Sequence, residues 1–128
     1  MTKRQFRILL IDDDAAYCRM LTQQLQAWGY NALSETDDRK AREAFLEFEP
    51  QVVLLDVRLA HGDCLPLLKD ILAEDSKVAV ILLTANKDEA IAKKAMSMGA
   101  SDFITKPYDT EELQRVLRWQ LKQDSSGS

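Results

Sequence analysis

A chain of 128 residues, 46% hydrophobic and 30% charged, has the size and make-up of one soluble globular domain. Its net charge of -4 and isoelectric point near 5.0 argue against direct nucleic-acid binding, which calls for a basic patch. No stretch approaches the ~20 consecutive apolar residues of a membrane span, and the charged N-terminus Met1–Gln5 leads into no signal-peptide core, so a cytoplasmic protein away from membranes is expected.

Phe6–Ile11 is apolar apart from Arg7, the pattern of a strand buried on both faces. A helix follows, with Asp14 placed to cap it, Tyr17, Leu21, Leu25 and Trp28 on one face, and Gly29 to end it. Asn31–Thr36 reads as a weaker strand near an edge. Asp37 or Asp38 then caps a helix whose Ala41, Ala44, Phe45 and Phe48 recur at three and four, and Pro50 prevents its continuation. Val52–Leu55 is a short, wholly apolar third strand. The loop Arg58–Gly62 leads into a helix through Leu65, Leu68 and Leu72, with Pro66 in its first turn. Val78–Leu83 is the fourth strand, and the helix from about Asp88 to Met98 stops at Gly99. Asp102–Thr105 is the fifth strand, and Asp109-Thr110-Glu111-Glu112 offers a capping box before Leu113, Val116, Leu117 and Leu121.

Strands alternating with helices of this length predict an α/β fold, a doubly wound (βα)5 unit with five parallel strands and helices on both faces. Residues 1–122 form the expected domain, and the polar residues 123–128 read as a flexible tail, a linker stub or expression remnant. The glycines form neither GxGxxG nor a P-loop, so no nucleotide-cradling loop is available. Cys18 and Cys64 fit no metal or redox spacing and read as reduced thiols packed in or near helices.

The strand ends carry the chemistry. The first run stops at Asp12, Asp13 and Asp14, the third at Asp56, the fourth at Thr84 and the fifth at Lys106-Pro107. In a parallel sheet these ends gather along one edge, where open α/β sheets bind ligands. Carboxylates about 4 Å apart repel by roughly 4 kcal/mol at an effective dielectric near 20, so the cluster requires a shifted pKa or a cation. Hard oxygen ligands suit Mg²⁺ better than zinc in a chain with one His and no paired Cys. Asp14 is better read as a helix cap than as a ligand.

Ile8-Leu9-Leu10-Ile11-Asp12-Asp13-Asp14, Leu54-Leu55-Asp56-Val57-Arg58-Leu59, Leu82-Leu83-Thr84-Ala85 and Gly99–Tyr108, with its Thr105-Lys106-Pro107-Tyr108, resemble the receiver domain of two-component response regulators over residues 5 to 122. Any one motif is weak, whereas the set, each at the end of its own strand, is specific. The resemblance implies a flavodoxin-like strand order 2-1-3-4-5 and a switch that promotes its own phosphorylation and dephosphorylation without turning over an external substrate. It implies that Asp56 accepts a phosphoryl group from a sensor histidine kinase. Asp12 and Asp13 would hold Mg²⁺, Asp13 directly and Asp12 through water, with Asp56 and the Arg58 carbonyl as further ligands. Lys106, before a cis Pro107, would pair with a phosphoryl oxygen, and Thr84 would donate its hydroxyl to the same group. Phe103 would turn inward as Thr84 moves. The last two helices and the Phe103 strand, with Trp119 off the apolar stripe, would form a face for an output domain or a second copy.

Departures from the family pattern are Ala60 and Cys64, where many receivers have Pro and Gly. Arg58 and Asn86 occupy the positions flanking the phosphoryl pocket and are expected to tune how long the aspartyl phosphate survives. His61 reads as an exposed loop histidine. Two competitors remain at this stage. An aspartate-dependent phosphohydrolase would use Asp12 and Asp14 as Asp-x-Asp, although no cap domain is evident. A flavodoxin-type FMN carrier is disfavoured because Asp12–Asp14 would repel the flavin phosphate.

Overall fold

The apolar runs become strands whose alternate side chains enter two separate cores. The computed structural model describes residues 6–126, with side chains to Lys122. In chain order the elements are β1 (Arg7–Ile11), α1 (Ala15–Ala27), β2 (Asn31–Glu35), a 3-10 turn (Asp38–Lys40), α2 (Ala41–Phe48), β3 (Val52–Asp56), β4 (Arg58–Leu59), β5 (Gly62–Asp63), α3 (Leu65–Glu74), β6 (Ala79–Thr84), a 3-10 turn (Asn86–Asp88), α4 (Glu89–Met98), β7 (Asp102–Thr105) and α5 (Thr110–Ser126). The five-stranded sheet has the order β2-β1-β3-β6-β7, and every pairing in it is parallel. With the small β4–β5 hairpin set aside, this is the expected 2-1-3-4-5 order.

Leu9, Ile11, Val53, Leu55, Val80 and Leu82 face α2, α3 and α4, packing with Phe45, Leu68, Ile71, Ala92 and Ala95. Ile8, Leu10, Leu54, Ile81 and Leu83 face α1 and α5, packing with Leu21, Leu25, Leu113, Leu117 and Leu121. A strand covered on both faces must be apolar at every position, which is why the central runs show no alternation. β2 lies at one edge, as its weaker pattern suggested.

Caps form where the sequence supplies them. Asp14 Oδ1 accepts from Tyr17 N–H at 3.0 Å, Asp37 Oδ1 from Arg39 N–H at 2.9 Å and Asp109 Oδ1 from Glu112 N–H at 2.7 Å. Gly99, at φ 122°, ends α4 in backbone that L side chains rarely adopt, and a Cβ there would stand 3.0 Å from Leu72 Cδ1. Asp37 caps the 3-10 turn rather than α2 itself, which begins at Ala41.

Three features differ from the sequence reading. The segment Arg58–Gly62 is not a plain loop: Arg58 pairs antiparallel with Asp63 and Leu59 with Gly62. In α3 the buried residues are Leu67, Leu68 and Ile71, with Leu65 and Leu72 only partly covered, so the helix is centred on a face the Leu65–Leu68–Leu72 spacing does not show. Finally, α5 continues to Ser126, through the first residues of the segment read as a tail; Gly127 and Ser128 lie outside the described residues. Arg7, the one charge in the first strand, donates from Nε to the carbonyls of Phe48 and Glu49, the latter in left-handed backbone at φ 52° where α2 ends. Among the described residues no helix is long and apolar enough to cross a membrane.

Candidate functional site

The chain leaves β1 toward β2 on one side and returns to β3 on the other, so a crevice opens between the C-terminal ends of β1 and β3. Asp12 and Asp13 follow β1 and Asp56 ends β3. Carboxylate oxygens from Asp12, Asp13 and Asp56 lie within 4.8 Å of one another. Asp12 is almost wholly buried, Asp56 half-buried and Asp13 exposed, so the cluster opens to solvent on one side.

Hydrogen bonds fix the two inner acids. Asp12 Oδ1 accepts from Asp14 N–H at 3.0 Å, and Asp56 Oδ1 accepts from Arg58 N–H at 3.1 Å. Their second oxygens face Lys106, whose Nζ stands 3.4 Å from Asp12 Oδ2 and 3.7 Å from Asp56 Oδ2. The same ammonium lies 4.6 Å from the centroid of the Tyr17 ring, a cation–π contact that holds it over the crevice. Lys106 is carried there by β7, its N–H donating to Thr84 O at 2.7 Å, and the peptide to Pro107 is cis, as expected. Tyr17 and Tyr108 meet hydroxyl to hydroxyl beside it, and burial raises the pKa of both phenols.

Burial, and next the charge of Asp12, push the Asp56 carboxyl up to about 6, against the opposing pull of Lys106. One ammonium therefore does not offset the repulsion among the acids. An all-oxygen donor set, open on one side and still short of positive charge, fits a small hard cation such as Mg²⁺. The sequence-derived site residues Asp12, Asp13, Asp56 and Lys106 are brought together. Thr84 ends β6 at the same edge, but its residue is fully buried and its hydroxyl donates to Ala85 O at 3.0 Å. Arg58 contributes its backbone to the site, while its side chain departs: Nε donates to Asp88 Oδ1 at 2.9 Å. Asp14 caps α1 and does not converge with Asp12, Asp13 and Asp56.

Several participants were not foreseen. Tyr108 follows the Lys-Pro motif directly and could have been suspected from that. Asp88 carried no local signal. His61 is half-exposed, as read, but its Nδ1 lies 2.6 Å from Asp38 Oδ1, tying the β4–β5 turn to the 3-10 turn before α2. Asp37, Asp38 and His61 form a second close trio, yet Asp37 is already engaged by Arg39 at 3.1 Å. Both cysteines are free and buried, and Cys18 Sγ donates to Asp12 O at 3.2 Å.

Set against known proteins, residues 8–118 match the family model described as the response regulator receiver domain. The chain belongs to that family, and it is a receiver domain, the switching unit of response regulators. It is 37% identical over 117 residues to the transcriptional regulatory protein ZraR of Escherichia coli K12, covering 91% of this chain and 26% of the relative. It is 35% identical over 123 residues to the DNA-binding response regulator MtrA of Mycobacterium tuberculosis, covering 96% of this chain and 53% of the relative. The receiver domain of a response regulator from Clostridium thermocellum superposes with a TM-score of 0.91 over 96% of this chain and 99% of that one; at 23% identity this supports the fold alone. The chain thus spans about a quarter to a half of the curated relatives' length.

Proposed function

We propose that Asp56 is the phosphoacceptor of this receiver, loaded from the phosphohistidine of a sensor histidine kinase. The observation that carries this reading is the convergence of three acids and one lysine from three βα units. In the transfer step a carboxylate oxygen of Asp56 attacks phosphorus; the new P–O bond forms as the P–N bond breaks, and the electron pair returns to the histidine nitrogen. Hydrolysis of the aspartyl phosphate by water later restores the carboxylate and releases inorganic phosphate.

Asp12, Asp13, Asp56 and the Arg58 carbonyl would hold Mg²⁺, which when bound neutralises the developing phosphoryl charge and the repulsion that three acids would present. Lys106 pairs with a phosphoryl oxygen by moving its ammonium off Asp12 and Asp56. Thr84 exchanges its bond to Ala85 O for one to the phosphoryl group, and Phe103, partly covered by the core beneath α4, follows it inward. A charge-assisted bond worth about 1.5–3 kcal/mol suffices to shift a two-state equilibrium by tenfold or more. Residues 1–122 then act as the switching unit. Its output would pass through α4, β7 and α5 to an attached domain or a second copy, a reading supported by the exposed Trp119 on α5.

Incubation with acetyl phosphate and Mg²⁺, followed by intact mass, tests the assignment. The wild type should gain the mass of one phosphoryl group and Asp56→Asn should gain none. Equal labelling of the variant would contradict the acceptor assignment.

A further inference from the structure

Arg58 divides its backbone and side chain between two acids. Its N–H donates to Asp56 Oδ1 at 3.1 Å, and its Nε donates to Asp88 Oδ1 at 2.9 Å. Asp88 is only 3% exposed, and among the described residues Arg58 is the one side-chain partner of its carboxylate. A buried carboxylate is tolerated while it is paired and becomes strongly unfavourable when the partner leaves.

Asp88 is also the residue immediately before α4. Aspartate is favoured at that position because its carboxylate can accept from the N–H groups two and three residues on, here Ala90 and Ile91. It does not do so: α4 has no side-chain cap, and Asp88 sits at φ -107°, ψ 15°, away from the extended backbone that capping uses. The carboxylate that could close the first turn of α4 is turned to Arg58 instead, and the 3-10 turn Asn86–Asp88 holds it there.

We propose that the Arg58–Asp88 pair is a latch opposing phosphorylation. Arg58 partitions between Asp88 and the phosphoryl group on Asp56, and Asp88, once released, swings to cap α4. The inference rests on Asp56 being the acceptor. A phosphoryl group carries close to two negative charges and three strong acceptor oxygens, which suit the guanidinium fork better than one carboxylate does. Asp88 cannot remain buried and unpaired, so loss of Arg58 drives it to the orphan N–H groups of α4. The segment between Thr84 and α4 therefore has two discrete arrangements, each with its acid satisfied. By linkage, whatever favours the capped arrangement also favours the phosphorylated state. Asp88 is in this sense a positioning residue that acts through Arg58.

The test uses beryllofluoride, a phosphoryl mimic, titrated calorimetrically at saturating Mg²⁺ into wild type, Arg58→Gln, Asp88→Asn and the double variant. Asn retains the ability to cap but carries no charge to hold Arg58. Asp88→Asn should tighten binding by about fivefold or more. In the Arg58→Gln background the same change should alter binding by less than about twofold, since coupled sites are non-additive. Equal effects of Asp88→Asn in both backgrounds, or none in either, would overturn the latch. Wild type alone supplies a second readout: amide exchange at Ala90 and Ile91 should slow in the beryllofluoride state, and unchanged exchange there would overturn the cap. Beryllofluoride binding that survives Asp56→Asn would instead overturn the acceptor assignment on which the latch depends.

Discussion

The ammonium of Lys106 stands 3.7 Å from Asp56 Oδ2, although β3 and β7 are separated in the sheet by β6. The lysine spans the end of β6 to reach the acid, and the ring of Tyr17 from α1 lies against its ammonium. A surface lysine would have no reason to adopt this course. Its charge is drawn there by Asp12, which is 1% exposed and needs a counter-charge.

Lys106→Met preserves the aliphatic stem and deletes the charge. Lys106 lowers the Asp56 pKa, so its loss should raise the midpoint of Asp56 titration above about 6, followed by carboxyl carbon NMR in metal-free protein. Phosphorylation by acetyl phosphate should slow roughly tenfold or more, the equivalent of one charge-assisted hydrogen bond. An unchanged midpoint would mean that the lysine does not face the acid in solution.

Asp56 also predicts a pH-dependent stability. Its folded pKa, about 6, lies above the ordinary carboxyl value of 3.8, so between those values the native state binds more protons than the unfolded state. Stability from this group is therefore present below about pH 4, falls as pH rises through 6, and does not recover above it. In metal-free buffer Asp56→Asn should be more stable than wild type at pH 7.5 by about 2–3 kcal/mol, with the gain vanishing near pH 4. Adding Mg²⁺ should narrow the gap by stabilising the wild type through binding. Urea unfolding across pH, with and without chelator, measures both effects.

The thiols should be inert. Burial is the main cause that pushes Cys18 up to about 11 and Cys64 up to about 12. At pH 8 the Cys18 thiolate is then roughly a thousandth of the population, in addition to being covered. Iodoacetamide should leave the native protein unlabelled over minutes and label both cysteines in denaturant. Rapid native labelling would show that the packing around α1 or the start of α3 opens.

Asp109 provides a control away from the acidic cluster. Its carboxylate accepts from Glu112 N–H at 2.7 Å, so Asp109→Ala should cost about 1 kcal/mol and lower the melting temperature by about 3 °C. Asp14→Ala removes an equivalent cap beside Asp13 and should lose comparable stability. A loss from Asp109→Ala within error of zero would show that this cap is not formed in solution and that the first turn of α5 is already frayed in the wild type.

Those features were legible in the sequence where the cause is local. Continuous apolar runs mark strands covered on both faces, Asp14 and Asp109 precede apolar periodicity at cap spacing, and Gly99 follows it. Strand-terminal Asp12, Asp13, Asp56 and Lys106 could be gathered on paper because parallel strands place their ends on one edge. The illegible part is long-range and orientational. Two-residue strands at Arg58–Leu59 and Gly62–Asp63 are too short and polar to show a period. Glu49 takes left-handed backbone without being glycine, and Arg58 finds Asp88 thirty positions away, a pairing decided by which turns happen to be neighbours. Thr84 was placed correctly on its strand, but only coordinates reveal that its hydroxyl turns back to Ala85.

The central claim is a cation-dependent acceptor at Asp56. It is tested most directly by reducing the acyl phosphate with borohydride after acetyl phosphate treatment, which expels phosphate and leaves the acceptor side chain as an alcohol, and locating the reduced residue by tandem mass spectrometry, with Mg²⁺ present or chelated. The account predicts a single reduced residue, Asp56, and no reduction there on chelation. Reduction at Asp12 or Asp13, or reduction of Asp56 that is indifferent to the cation, would contradict it.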